Sequence, residues 1–123
     1  ENKEKLESRI RVKEKEMGIW EDIKAMEEEK LYTLSKHRRS YFSITHVGKN
    51  YLKIKVHSTE KIRTIQKQAF EGTWEHLVNN GEITRADIQK NYSVANHAYV
   101  AGILANLSKV RYINDPVITL LAV

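Results

Sequence analysis

Between Lys36 and Lys67 the chain places nine Lys and Arg residues against one acid, Glu60. The nine are Lys36, Arg38, Arg39, Lys49, Lys53, Lys55, Lys61, Arg63 and Lys67, which gives this segment +8 in a chain of +5 overall. Residues 1–35 hold eight bases and ten acids, and residues 68–123 hold four bases and five acids. A positive field concentrated in this way attracts polyanions, so the expected partner is nucleic acid, DNA first. Lys and Arg neutralise phosphates and release condensed counterions, which makes such binding weaken steeply with salt. Arg38 and Arg39 can each grip a phosphate bidentately, while Lys49, Lys53, Lys55 and Lys61 act as point charges beside Arg63. Tyr41 and Tyr51, interleaved with them, suit stacking on the bases of a single strand. Two structural alternatives stand beside this reading. The lysines protect a sheet edge from aggregation, or Glu27-Glu28-Glu29 neutralises the patch within the fold or a dimer.

Other chemistries find little support. His46, His57 and His76 follow the hairpin-then-helix order of a ββα-metal nuclease, but no Asp-His pair accompanies them. Histidines on a surface or satisfied in a core are the ordinary alternative. Glu27–Glu29 fan around a helix axis instead of converging, and no Gly-rich phosphate loop is present. The chain therefore reads as non-enzymatic, with no metal or other cofactor expected. The absence of cysteine removes disulfides and thiolate chemistry and favours an intracellular home, in cytoplasm or nucleus. A mean hydropathy of −0.57 and 30% charged residues suit a soluble protein without a membrane span. The first residue is Glu rather than Met, which suits a fragment, a processed chain or an incompletely ordered terminus.

The elements that must carry the patch follow from periodicity. Residues 2–35 are rich in Glu, Lys, Leu, Met and Arg, with Leu6, Ile10, Met17, Trp20, Leu31 and Leu34 at helical spacing. That predicts one amphipathic helix, with a possible break at Gly18. Residues 40–47 and 51–57 alternate with period two around Gly48-Lys49-Asn50, the pattern of a β-hairpin. A three-residue loop puts Phe42, Ile44, Leu52, Ile54 and Val56 on an apolar face that His46 shares. Tyr41, Ser43, Thr45, Tyr51, Lys53 and Lys55 take the outer face. Thr59 is the expected N-cap of a helix burying Ile62, Ile65, Ala69, Phe70, Thr73, Trp74, Leu77 and Val78, and Asn79-Asn80-Gly81 ends it. Beyond it come an extended Glu82-Ile83-Thr84, a short helix capped by Thr84, a turn at Asn91–Val94, a helix with Val100, Ile103, Leu104 and Leu107 inward, and a second hairpin around Asn114-Asp115-Pro116.

Three of these stretches carry a family resemblance: Gly81-Glu-Ile-Thr-Arg-Ala-Asp-Ile88, Val100-Ala-Gly-Ile-Leu-Ala-Asn-Leu107 and Val110-Arg-Tyr-Ile-Asn-Asp-Pro-Val-Ile-Thr119. In order and character, residues 62–123, about half the chain, resemble a winged-helix domain. The resemblance implies a third helix that enters the major groove and a wing that touches the backbone. The chemistry departs from that pattern, because the third helix is nearly uncharged. Ala98, Ala101, Gly102 and Ala105 make a small, flat outer face suited to close packing against another helix, for which the N-terminal helix is available. Tyr92, Ser93, Asn96 and His97 remain as base readers, or as turn and capping residues. The expected architecture is α+β and mostly helical. It has an amphipathic helix over 1–38, a basic hairpin over 39–58 and a winged-helix domain over 59–123. The alternative to nucleic-acid binding is an assembly module using Leu6, Ile10, Met17, Trp20 and Leu31 with Ala98, Gly102 and Ala105 as the protein interface, as a homo-oligomer or in a larger complex.

Overall fold

The computed structural model describes residues 18–34 and 40–123. In chain order the elements are α1 (residues 18–24), β1 (Leu31–Tyr32), β2 (Tyr41–Val47), β3 (Tyr51–Val56), β4 (Ile62–Gln66), α2 (Lys67–Asn80), β5 (Glu82–Thr84), α3 (Arg85–Asn91), α4 (His97–Leu104), β6 (Val110–Ile113) and β7 (Thr119–Ala122). The class is α+β with two antiparallel sheets, ordered β1-β2-β3-β4 and β5-β7-β6. The expectation of a mostly helical chain is corrected, since strand and helix contribute in similar measure.

The alternating stretches form β2 and β3 because each presents apolar residues to one side only. Phe42, Ile44, Leu52, Ile54 and Val56 are all buried, as their spacing requires. His46 is a correction. The ladder runs Ile44↔Ile54 and then His46↔Lys53, a bulge that skips Thr45. One extra residue reverses the alternation, so Val47 turns inward and His46 lies exposed.

A second correction concerns residues 59–66. Thr59 caps no helix; its Oγ1 accepts from the Lys61 N–H at 3.3 Å within the turn joining β3 and β4. Ile62–Gln66 then pairs with β3 from Lys55↔Ile62 to Tyr51↔Gln66, so the sheet continues across residue 59, where the sequence suggested a division. Ile62 is exposed and Ile65 buried. The helix begins only at Lys67, buries Ala69, Phe70, Thr73, Trp74 and Leu77, and ends at Gly81, whose φ of 82° closes the last turn.

The second half follows its local signals. Thr84 caps α3 reciprocally: its Oγ1 accepts from the Asp87 N–H at 3.1 Å, and Asp87 Oδ2 accepts from the Thr84 N–H at 3.4 Å. Removing the hydroxyl in Thr84→Ala should therefore lower stability by about 1 kcal/mol. Thermal denaturation would show this as a melting point about 4 °C lower, and an unchanged melting point would mean the cap contributes nothing.

α1 and α4 join the two halves. Ile19, Trp20, Ile23 and Met26 are buried, whereas Lys24 is exposed. Trp20 lies 5.7 Å from the Phe70 ring and donates its Nε1–H to the Gly48 carbonyl at 3.1 Å. The single helix through residue 35 is a third correction. Helix stops at residue 24, and Glu28, at φ 68°, donates its N–H to the Ile44 carbonyl at 2.9 Å. Leu31 and Tyr32 follow as strand β1 on the edge of β2. On the other side of this edge lies α4, whose Val100, Ala101, Gly102, Ile103 and Leu104 are all buried. Tyr99 meets Phe42 edge to face at 5.2 Å, and Arg85 Nη1 donates to the Leu34 carbonyl at 3.0 Å. Both sheets thus close on one hydrophobic core.

Candidate nucleic-acid interface

Strand alternation and pairing decide which side of the β1–β4 sheet each basic residue occupies. Opposite the core, the ladder aligns Ser43, Lys55 and Ile62 in one row, His46, Lys53 and Thr64 in the next, and Tyr51 beside Gln66. Lys53 and Lys55 are two residues apart on β3, about 7 Å along the strand. Lys49 sits in the β2–β3 loop at one end of this face and Lys61 in the β3–β4 turn at the other. Among the described residues none of Lys49, Lys53, Lys55 and Lys61 is held in an ion pair, whereas Lys67 reaches Glu71 at 3.7 Å. Glu27–Glu29 thus make no ion pair with these four lysines within the chain.

The tyrosines of this face are partly engaged. Tyr41 stacks on His57 at 4.5 Å, and Lys30 Nζ lies 4.1 Å from its ring centroid. His57 Nε2 is 2.9 Å from Ser43 Oγ, which fixes the imidazole across the sheet. Tyr41 is thus already stacked within the chain. Tyr51 packs its ring over Gly48 and lies 5.9 Å from the His46 ring. The histidines are separately occupied, His76 Nδ1 lying 2.9 Å from Tyr92 Oη. Among the described residues no group of three His, Cys, Asp or Glu could hold a metal ion.

Other expected binding residues lie elsewhere. Arg63 stands opposite Ile54, on the core side of the ladder, so it does not join Lys53 and Lys55. It reaches past the sheet edge, donating from Nη1 to Asn96 Oδ1 at 3.3 Å and lying 5.3 Å from the Tyr99 ring centroid. Asn96 is the residue before α4 but makes no side-chain cap. His97 Nδ1 donates to the Val94 carbonyl at 3.1 Å, a turn contact. Arg38 and Arg39 lie outside the described residues.

The proposed assembly surface is also redrawn. Leu6, Ile10 and Met17 lie outside the described residues, and Trp20 and Leu31 belong to the core. Gly102 is buried against the main chain of Tyr32: a Cβ there would come within 2.6 Å of the Tyr32 carbonyl oxygen. At Gly102 the close neighbour of α4 is strand β1 of the same chain. Ala98 and Ala105 are half-buried beside it.

One feature escaped the sequence. Where β4 passes the turn between α3 and α4, a groove of about 480 Å³ opens, lined by Thr64, Gln66, Gln68, Asn91, Ser93 and Asn96 among others. Gln66 and Gln68 went unnoticed because the segment reads as a helix. The strand signal that would have exposed them is the β-branched pattern Ile62-Arg-Thr-Ile65. Compared with protein-family models, curated proteins and solved structures, the chain matches none. Among the described residues no helix is long and apolar enough to cross a membrane.

Proposed function

We propose that this chain is a non-enzymatic nucleic-acid-binding module, with DNA as its first ligand, that makes mainly backbone contacts through the outer face of the β1–β4 sheet. The observation that carries the reading is Lys53 and Lys55 together on one solvent-facing side of β3, with Lys49 and Lys61 in the turns at its two ends, all four without ion-pair partners among the described residues. Lysines that protected an edge from aggregation would belong on β4, the outer strand, yet Lys53 and Lys55 are on β3, inside the sheet. The order α2, β5, α3, α4, β6, β7, with β7 between β5 and β6, supports reading residues 67–123 as a winged-helix domain, with residues 59–66 given to the first sheet. Its third helix, α4, is packed against β1, which leaves the sheet as the surface that meets phosphates.

The test is a titration of labelled oligonucleotides by fluorescence anisotropy. Engagement of about four phosphates should lower affinity roughly 50- to 150-fold between 50 and 200 mM salt. Lys53→Glu/Lys55→Glu should lose more than tenfold at the lower salt, because two attractive charges become repulsive. Binding by this variant equal to that of the parent chain would refute the assignment of the face.

A further inference from the structure

The lysine face ends at a groove built from amides. β4 is the last strand of its sheet, and it borders the turn between α3 and α4 across this groove. Its volume, about 480 Å³, falls within the roughly 300–1,000 Å³ usual for small-ligand sites. Four residues that carry carboxamides line it: Gln66 of β4, Gln68 of α2, Asn91 at the end of α3 and Asn96 just before α4. No acid lines it. Among the described residues the side chains of Gln66, Gln68 and Asn91 make no hydrogen bond, and Asn96 uses only its Oδ1, toward Arg63. The carboxamides of Gln66, Gln68 and Asn91 each set a donor beside an acceptor, the pattern that pairs bidentately with a base edge, adenine N6 and N7 above all, and Asn96 keeps its Nδ2 as a donor. In the ladder Thr64 stands opposite Lys53 and Gln66 opposite Tyr51, so the groove begins where the cationic face stops.

We propose that the groove takes an unpaired nucleobase from a single strand lying across the β2–β3–β4 face, and that Gln66, Gln68, Asn91 and Asn96 read its edge. This rests on the nucleic-acid reading above and names the form of ligand. A duplex keeps its base edges recessed in grooves that only a protruding helix or ribbon enters, and α4 is covered by β1. A concave site needs the base brought out of its stack, which takes little free energy in a single strand.

The experiment uses the full chain, single-stranded DNA and RNA homopolymers, and a mixed-sequence DNA duplex, with thermal melting as a control for folding. At least one homopolymer should bind more than tenfold tighter than the duplex. Gln66→Ala/Asn91→Ala, which alters two exposed side chains, should weaken that homopolymer about tenfold and reduce the differences among homopolymers. Its duplex binding and salt slope should stay at parent values. The side-chain amide NMR signals of Gln66 and Asn91 should shift with the preferred homopolymer and not with the duplex. Equal affinity for single strand and duplex, or an unchanged homopolymer ranking in the double variant, overturns the groove proposal and leaves the lysine face standing. If no oligonucleotide binds at 50 mM salt, or if Lys53→Glu/Lys55→Glu binds as the parent does, the underlying reading fails as well.

Discussion

Phe42→Ala should reduce the stability of this protein by about 3–5 kcal/mol, the range for deleting a buried aromatic ring. Phe42 is fully buried and pairs with Leu31 on one side and Val56 on the other, at the centre of the first sheet. Its ring meets Tyr99 of α4 edge to face at 5.2 Å, so the same side chain fills the sheet's underside and the joint to the second half. Little around it can collapse into the space, because the sheet is fixed by its ladder and α4 is seated on β1. Against a total stability of about 5–15 kcal/mol for a domain, a loss of this size leaves a measurable fraction of chains unfolded. Urea denaturation would read it as a lower midpoint with an unchanged slope, since the unfolding unit stays the same. If the midpoint moved by less than 1 kcal/mol equivalent, or if the transition split in two, the two sheets would not share one core.

The parts of this fold that were legible in the sequence rest on short-range physics. The alternation of residues 41–56 encodes which side is buried, and Lys53 and Lys55 follow automatically onto the other side. Gly81 and the Thr84–Asp87 pair mark the end of one helix and the start of the next, because these residues satisfy backbone groups locally. What was not legible depends on partners distant in the chain. Ile62, Ile65 and Ala69 fit a helical stripe, and Ile65 is buried in either conformation; the unpaired edge of β3 decides for strand. Glu27–Glu29 are good helix formers, yet the Ile44 carbonyl draws the Glu28 N–H and the helix ends. The bulge at Thr45, which exposes His46, has no signature in single-residue preference. For the site, composition grouped the basic residues but not their sides of the sheet; that Arg63 faces away from Lys53 and Lys55 depends on β4 being a strand. The amide groove joins residues from Thr64 to Asn96 and exists only once β4 lies beside the α3–α4 turn.

Gly102→Ala tests how α4 is seated and should also be strongly destabilising, by about 2–3 kcal/mol, as overpacking of a close contact is. In an isolated helix the same change would stabilise by about 1 kcal/mol, because alanine is the better helix former. Here the new methyl would stand 2.6 Å from the Tyr32 carbonyl oxygen and 3.4 Å from Phe42 Cε1. The nearer atom is main chain on a strand held to β2, so it cannot rotate away as a side-chain tip does. Either β1 leaves α4 or the helix shifts within the core, and both expose apolar surface around Phe42. Gly18→Ala supplies the contrast, since Gly18 is helical and exposed and no described residue lies within 4 Å of its added carbon. That change should raise stability by about 0.5–1 kcal/mol. Opposite signs for the two glycines in parallel melting curves would identify contact with β1, rather than helix propensity, as the reason for glycine at 102. Melting points that rise together would show that β1 does not rest on α4, and would return the face bearing Ala98, Gly102 and Ala105 to the pool of surfaces open to a partner.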